Sequence, residues 1–477
     1  MGAERSGPLA QAQPSQPQRS VACFPDPLRE DPALEAFLSS ASTRLCQWWS
    51  SAAERSPLPL LSVLPEPAPL QQGLSAEALL EDLQLVMDGA YNPVHPGAMA
   101  HLDPPPLTAS VAADLVCAGL NNNLLAEELS PSLSRLERSL THWMAEQLGL
   151  GETAGGVAAS GGSLSNLMAL VVARHQLAHG ETSDLTVFCS ADAHVSIGKA
   201  LMVMGLPKQS LQTIQTDGAG CLCPTALAAA LQSAEREGRP VLAVVATAGT
   251  TVRGAVDPLA AISDLCHRHG VWLHVDGAIG AVFGLSQRHK HLVPDLDRAD
   301  SLTVNPQKLL GITKTSSLLL LKRPELLASC FGTGLPYMEP SWLDAHGGEC
   351  GLQGTRPAEI LKLWLGLRQL GLDGIDALLQ GALQRRAALE QHLCGLPLQM
   401  RSGPLHLLAF TPSAMGASES ERWSSQTRQQ LLEQQLMLSR PFYAGRHHLK
   451  AVLGNPHTRS TDLAAVASVV QRSLTCV

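Results

Sequence analysis

Between Thr186 and Leu321, strand-length apolar runs alternate with helix-length stretches. The runs are Thr186–Cys189, Val241–Ala246, Val271–Val275, Leu302–Val304 and Ser317–Leu321. Val241–Ala246 shows no inside–outside alternation, as expected for a strand covered on both faces. Asp257-Pro258 opens a helix that runs to His269, and Gly270 closes it. Repetition of strand, helix and strand predicts an α/β fold with a parallel or mostly parallel sheet. Ligands of such sheets bind beyond the carboxyl ends of the strands, so chemistry is sought there.

The flanks differ. Residues 1–30 read as a flexible lead-in. Residues 31–108 form a helical and extended segment, with helices expected at Asp31–Ser56 and Ser75–Gly89 around the proline-dense stretch Pro57–Pro69. Helices at Ala109–Leu120 and Ser132–Leu148 open a large α/β domain spanning 109–355. From Arg356 the pattern changes to a smaller α+β domain, 356–477. Its helices are expected at Ile360–Leu370 and Gly374–Leu393, and its strands include Leu405–Phe410 and Leu449–Leu453.

Composition narrows the function classes. Hydrophobic residues make up 45% of the 477 and charged residues 16%, enough apolar matter for a large core. The net charge is -8 and no Lys/Arg block stands out, which disfavours a nucleic-acid or anionic-membrane surface. Eleven cysteines, an odd number without zinc-ligand spacing, indicate neither a disulfide framework nor a metal site and suit a reducing cytoplasm. No apolar run is long enough to span a bilayer. Met1–Ser6 fits the permissive myristoylation pattern, which is too short to carry weight.

Four features fall at strand ends or loop–helix junctions. Ser160-Gly161-Gly162-Ser163 precedes the helical stretch Leu164–Gln176. Its N–H groups and hydroxyls could cradle a phosphate, although the same turn would serve as a plain helix cap. Asp276 ends the strand Val271–Val275 and is followed by Gly277-Ala278. It could hold a protonated ring nitrogen or cap a turn. Lys308 is one of eight lysines, most of them in polar contexts suited to the solvated surface. It follows Leu302–Val304 and stands before Leu309-Leu310. Desolvation would lower its pKa and favour a Schiff base; a snorkelling surface lysine is the alternative, and Lys314 is the local competitor. His194 could stack on a planar cofactor or be a structural histidine. Taken together, a phosphate cup, a stacking ring, a carboxylate and an amine are the parts that bind pyridoxal 5'-phosphate.

In the order and local sequence of these parts, the chain resembles the group II pyridoxal-phosphate decarboxylases. That family includes glutamate, cysteine sulfinate, aromatic amino acid and 2,4-diaminobutyrate decarboxylases. The resemblance spans roughly Pro93 to Thr458 and is most specific at Ser160–Asn166, Val245–Asp257, His274–Gly280 and Ala299–Leu310. It implies the aspartate aminotransferase-like fold type I and a homodimer with the site at its interface. It also implies an enzyme that converts an L-amino acid to an amine and CO2 through a Lys308 aldimine and a quinonoid. By resemblance, Asp276 keeps the pyridine nitrogen protonated, His194 stacks on one ring face and Ala278 packs on the other. Gly162 and Ser163 match the phosphate turn, and Asn305 and Thr247 further cofactor contacts. Tyr337, in the Gly/Pro-rich segment Gly332–Tyr337, matches the tyrosine of a mobile loop that returns a proton to carbon.

Two positions depart from the family pattern. Gln307 stands where a histidine is usual and Ile279 where an aromatic is usual, and both changes touch the expected pocket. Candidate substrate residues are Tyr91, Asn92, His95, Leu102, Asn123 and Arg356. Arg356 could pair with a carboxylate or brace the domain interface. Few aromatics near the pocket favour an acidic or small polar substrate over an aromatic one. A retro-aldol lyase or aminotransferase would keep the same lysine and aspartate, and a catalytically silent member would keep the fold. An oxidoreductase of the Rossmann type is disfavoured, because no G-x-G-x-x-G follows an expected strand.

Overall fold

The computed structural model describes residues 23–60, 64–177, 185–342 and 345–475. Residues 1–22 of the expected lead-in, including Met1–Ser6, lie outside them. By compactness the chain divides into two units, 1–54 with 59–91, and 55–58 with 92–477.

The first unit carries α1 (Pro32–Ser50) and α2 (Ala76–Asp88). Each begins at a polar side chain that accepts from a first-turn N–H: Asp31 from Leu34, and Ser75 from Ala78. Arg44 on α1 pairs with Glu77 on α2 at 2.8 Å.

The second unit opens with α3 (Thr108–Leu120) and α4 (Pro131–Gln147). A seven-stranded sheet follows, made of β1 (Gly155–Ala159), β2 (Thr186–Ser190), β3 (Leu211–Ile214), β4 (Val241–Thr247), β5 (Trp272–Gly277), β6 (Ser301–Val304) and β7 (Ser317–Leu321). Its order is β1-β7-β6-β5-β4-β2-β3. Only β7 runs against its neighbours, so the sheet is mostly parallel, as the strand–helix alternation predicts. The crossover helices include α5 (Gly162–Gln176), α6 (Ser196–Val203), α7 (Pro224–Arg236) and α8 (Leu259–His269). Along β4, Val244 and Ala246 join the main core, while Ala243 and Val245 face the core beneath α5 and α6. Both faces of the strand are therefore covered, which explains its unbroken apolar run.

After α9 (Glu325–Phe331), α10 runs from Ile360 to Leu393. Non-helical backbone at Gly371 (φ 60°, ψ 178°) divides it, close to the break expected between 370 and 374. β8 (Leu398–Arg401), β9 (Leu407–Pro412) and β12 (Leu449–Val452) make a three-stranded antiparallel sheet in the order β12-β9-β8. α11 (Ala417–Glu433) and α12 (Ser460–Thr475) pack on it through Trp423, Leu431, Val466 and Val470, and the short pair β10 (Phe442–Tyr443) and β11 (Arg446–His447) stands beside it.

The compact division falls at 91/92 rather than at 108/109 or 355/356. Hydrogen bonds explain why residues from 92 onward join the C-terminal part. Met437 N–H donates to Gly97 O, Val452 N–H donates to Met99 O, and the Asn455 amide donates to Pro93 O and His95 O. Among the described residues no helix is long and apolar enough to cross a membrane.

Candidate active site

A cavity of about 230 Å3 opens beyond the carboxyl ends of β4, β5 and β6. It brings together Gly162, Ser163, His194, Thr247, Asp276, Ala278, Asn305 and Lys308, all of the cofactor-binding candidates, along with Asn166, Thr250, Thr251, Ile279 and Gln307. The fold gathers them for simple reasons. Thr247 and Asp276 end adjacent parallel strands and pair in register. Lys308 follows β6 by one short turn, in which Lys308 N–H donates to Asn305 O. Gly162 and Ser163 form the first turn of α5, where the N-cap Gly161 offers no side chain to satisfy the helix's first N–H groups. Those N–H groups and the helix dipole favour an anion.

Burial lowers the Lys308 pKa, and the charges of Asp276 and Asp103 oppose that shift. Partial burial also lowers the His194 pKa; Asp276 opposes this, and Lys308 and Lys199 reinforce it. Asp276 is held as an acceptor: Ala278 N–H donates to Oδ1 at 3.1 Å, and Asn166 Nδ2 donates to Oδ2 at 2.8 Å. Asp257 sets the end of β4, accepting from Leu222 N–H and Thr247 N–H at 2.7 Å each, and burial raises its pKa to about 6.

These residues fit pyridoxal phosphate. The buried Thr247 Oγ1 has no partner among the described residues and is available to a bound group. The absence of a side chain at Gly162 keeps the cradle open, since a Cβ there would stand 3.1 Å from the Asn305 amide. The lowered Lys308 pKa enlarges the fraction of free amine that can attach to an aldehyde.

Other candidates lie elsewhere. Tyr337 is 71% exposed and is not part of the cavity wall. Arg356 is buried, and both terminal nitrogens bind the Glu137 carboxylate at 2.6 and 2.5 Å. Its guanidinium braces α4 against the segment that leads into α10, the second of the two roles open to it from the sequence. Asn123 shapes a turn, accepting from Leu125 N–H and Arg356 N–H. His95 is buried and accepts from Gly97 N–H, and Leu102 packs against the main core. None of these three lines the cavity. Gln307 does, and its Oε1 accepts from Ser316 N–H at 2.5 Å.

Two contributors were not assigned from the sequence. Asn166 lies within a segment singled out there but received no role. Lys450 received no role either; it is 7% exposed and donates to the carbonyl of the wall residue Thr251 at 3.3 Å. Its position inside the apolar run Leu449–Leu453 was the available signal. Lys362 is buried too, donating to Lys314 O beside Glu359 and Asp114.

Comparisons with known proteins place the chain in a family. Residues 57–395 match the pyridoxal-dependent decarboxylase conserved domain. The chain therefore belongs to the pyridoxal-dependent decarboxylase family. Human cysteine sulfinic acid decarboxylase is 32% identical over 354 residues, which is 71% of this chain and 69% of that protein. L-2,4-diaminobutyrate decarboxylase of Rhizobium meliloti is 32% identical over 391 residues, covering 80% and 79%. The crystal structure of mouse CSAD superposes with a TM-score of 0.85 at 27% identity, covering 93% of this chain and 99% of that one.

Proposed function

We propose that the protein is a pyridoxal-phosphate-dependent carboxy-lyase that removes CO2 from an acidic or small polar L-amino acid. One observation carries the reading: a desolvated lysine amine shares a cavity with an acceptor carboxylate and an uncapped helix N-terminus.

Bound pyridoxal phosphate supplies the electron sink for the pair left behind when CO2 departs. The protein's own groups do the rest. The first-turn N–H groups at Gly162 and Ser163 bind the phosphate. Lys308 Nζ is the amine that would hold the aldehyde. The Asp276 carboxylate, held from two sides, would keep a proton on the ring nitrogen. His194 would cover the ring, and Ala278 would leave it room. Lys450 stands close enough to Lys308 for the two charges to interact, and burial pushes its pKa down to about 8. Its ammonium is the group we assign to a substrate carboxylate. Tyr337 is assigned the return of a proton to the α-carbon, delivered when its exposed segment closes over the cavity.

The enzyme is further proposed to be a cytoplasmic homodimer. Exposed Leu115, Val116 and Leu120 on α3, and Val195, Met202 and Val203 beside His194, are the apolar surface that such an interface would cover. A monomer in sedimentation velocity would remove this part.

The test of the activity is CO2 release from each of the amino acids, cysteine sulfinate and 2,4-diaminobutyrate included, by the cofactor-loaded protein. Release from an acidic substrate is expected. Aldehyde or keto acid formation without CO2 would overturn the assignment.

A further inference from the structure

Behind Asp276 lies a set of buried polar groups that the proposed chemistry does not itself use. We infer that Asn166 is a positioning residue that, through one directional chain of hydrogen bonds, fixes Asp276 as a pure acceptor and His194 as the Nε2–H tautomer before any cofactor arrives.

The chain starts at Trp272, whose indole N–H can only donate. It reaches Ser301 Oγ at 2.9 Å, and Ser301 Oγ lies 2.9 Å from His274 Nδ1. His274 Nε2 lies 3.0 Å from Asn166 Oδ1, which also accepts from Thr303 Oγ1 at 2.8 Å. The other end of the amide, Asn166 Nδ2, reaches Asp276 Oδ2 at 2.8 Å and Ser196 Oγ at 2.9 Å. All four bonding capacities of the amide are used.

Its orientation follows from Trp272. Ser301 Oγ accepts from the indole, so its own hydrogen goes to His274 Nδ1. The ring proton of His274 is then on Nε2, which donates to the Asn166 carbonyl. The NH2 edge is left to face Asp276. Burial pushes the His274 pKa down to about 4, so the ring does not take a second proton.

The same logic runs to the other end. Ser196 Oγ accepts from Asn166, so its own hydrogen goes to His194 Nδ1 at 2.9 Å. The Ser196 backbone N–H points at the same nitrogen at 3.2 Å. Two donors on Nδ1 leave the single ring proton on Nε2. Asn166, Ser196, His274, Ser301 and Thr303 are all at most 1% exposed, so no water can substitute for a lost partner at little cost.

The consequence for catalysis rests on the cofactor reading: the stacking ring is neutral and its tautomer is preset. The proton positions do not rest on it. They are tested on the apoprotein by NMR with 15N-labelled histidine, the His194 signals being assigned by their loss in His194→Gln. The wild-type spectrum at neutral pH should show an unprotonated Nδ1 and a protonated Nε2 for His194. Asn166→Asp removes both donors and should shift these signals. His274→Gln, whose amide can accept from Ser301 and donate to Asn166, should leave them in place. In the loaded enzyme, Asn166→Asp should lower kcat about tenfold to a hundredfold, the loss expected for a hydrogen bond to a charged group, with KM nearly unchanged. A proton on Nδ1 in the wild type overturns the inference, as does an Asn166→Asp spectrum identical to wild type. If that variant does not fold, the wild-type spectrum decides alone. The expected tautomer in a protein that releases no CO2 would refute the decarboxylase reading and leave the relay standing.

Discussion

Replacing Lys450 by methionine should make the protein more stable and a worse enzyme. The ammonium is nearly enclosed, and its pKa falls from 10.5 to about 8, through burial first and the nearby Lys308 charge second. At pH 7 both the folded and unfolded chains hold the proton. The folded chain releases it near pH 8 and the unfolded chain only near 10.5. The charge therefore costs stability in full below about pH 8, and the cost fades as pH rises towards 10.5. A shift of that size corresponds to about 3 kcal/mol at neutral pH. Methionine of similar length avoids this cost but leaves Thr251 O without its partner, a loss of about 1 kcal/mol. The balance is a gain of about 2 kcal/mol, seen as a rise of a few degrees in the apoprotein melting temperature that disappears as pH approaches 10. If the ammonium meets a substrate carboxylate, KM for an acidic substrate rises about tenfold to a hundredfold. Lys450→Arg should keep the charge and most of the affinity. A less stable Lys450→Met protein with unaltered KM would refute both the burial argument and the substrate assignment.

Other perturbations separate the remaining roles. Tyr337→Phe should retain the bound-cofactor absorbance while amine product is lost; normal turnover would remove Tyr337 from the mechanism. Glu137→Gln leaves the buried Arg356 charge uncompensated and should cost about 3–5 kcal/mol in urea unfolding, with little change in KM; the reverse pattern would restore Arg356 to the substrate. Gly162→Ala pushes a methyl group to within 3.1 Å of the Asn305 amide, and equilibrium dialysis should show weaker pyridoxal phosphate binding, about tenfold; unchanged affinity would place the phosphate elsewhere.

The strands that carry the site were legible because burial on both faces leaves an unmistakable signature. Val241–Ala246 and Val271–Val275 admit almost no polar residue, and the chemistry sits where those runs stop. β1 was not read as a strand, because Gly155-Gly156 has low strand propensity. The structure supplies the reason for the glycine: a Cβ at Gly156 would stand 2.0 Å from Leu319 O on β7. Lys308, Asp276 and His194 could be picked out because each follows a recognisable strand by a few residues. Lys450 and the Arg356–Glu137 pair could not, since their roles depend on partners 199 and 219 positions away. The apolar run around Lys450 signals burial, but only the approach of β12 to the Thr251 loop shows its partner. The amide of Asn166 was equally opaque, because its four partners come from α6, β5 and β6.

The account depends on the amine at position 308. Borohydride reduction of the cofactor-loaded protein, followed by peptide mapping, should place the pyridoxyl tag on Lys308 and leave Lys308→Ala untagged. A tag on Lys314 or Lys450, or none at all, would contradict it.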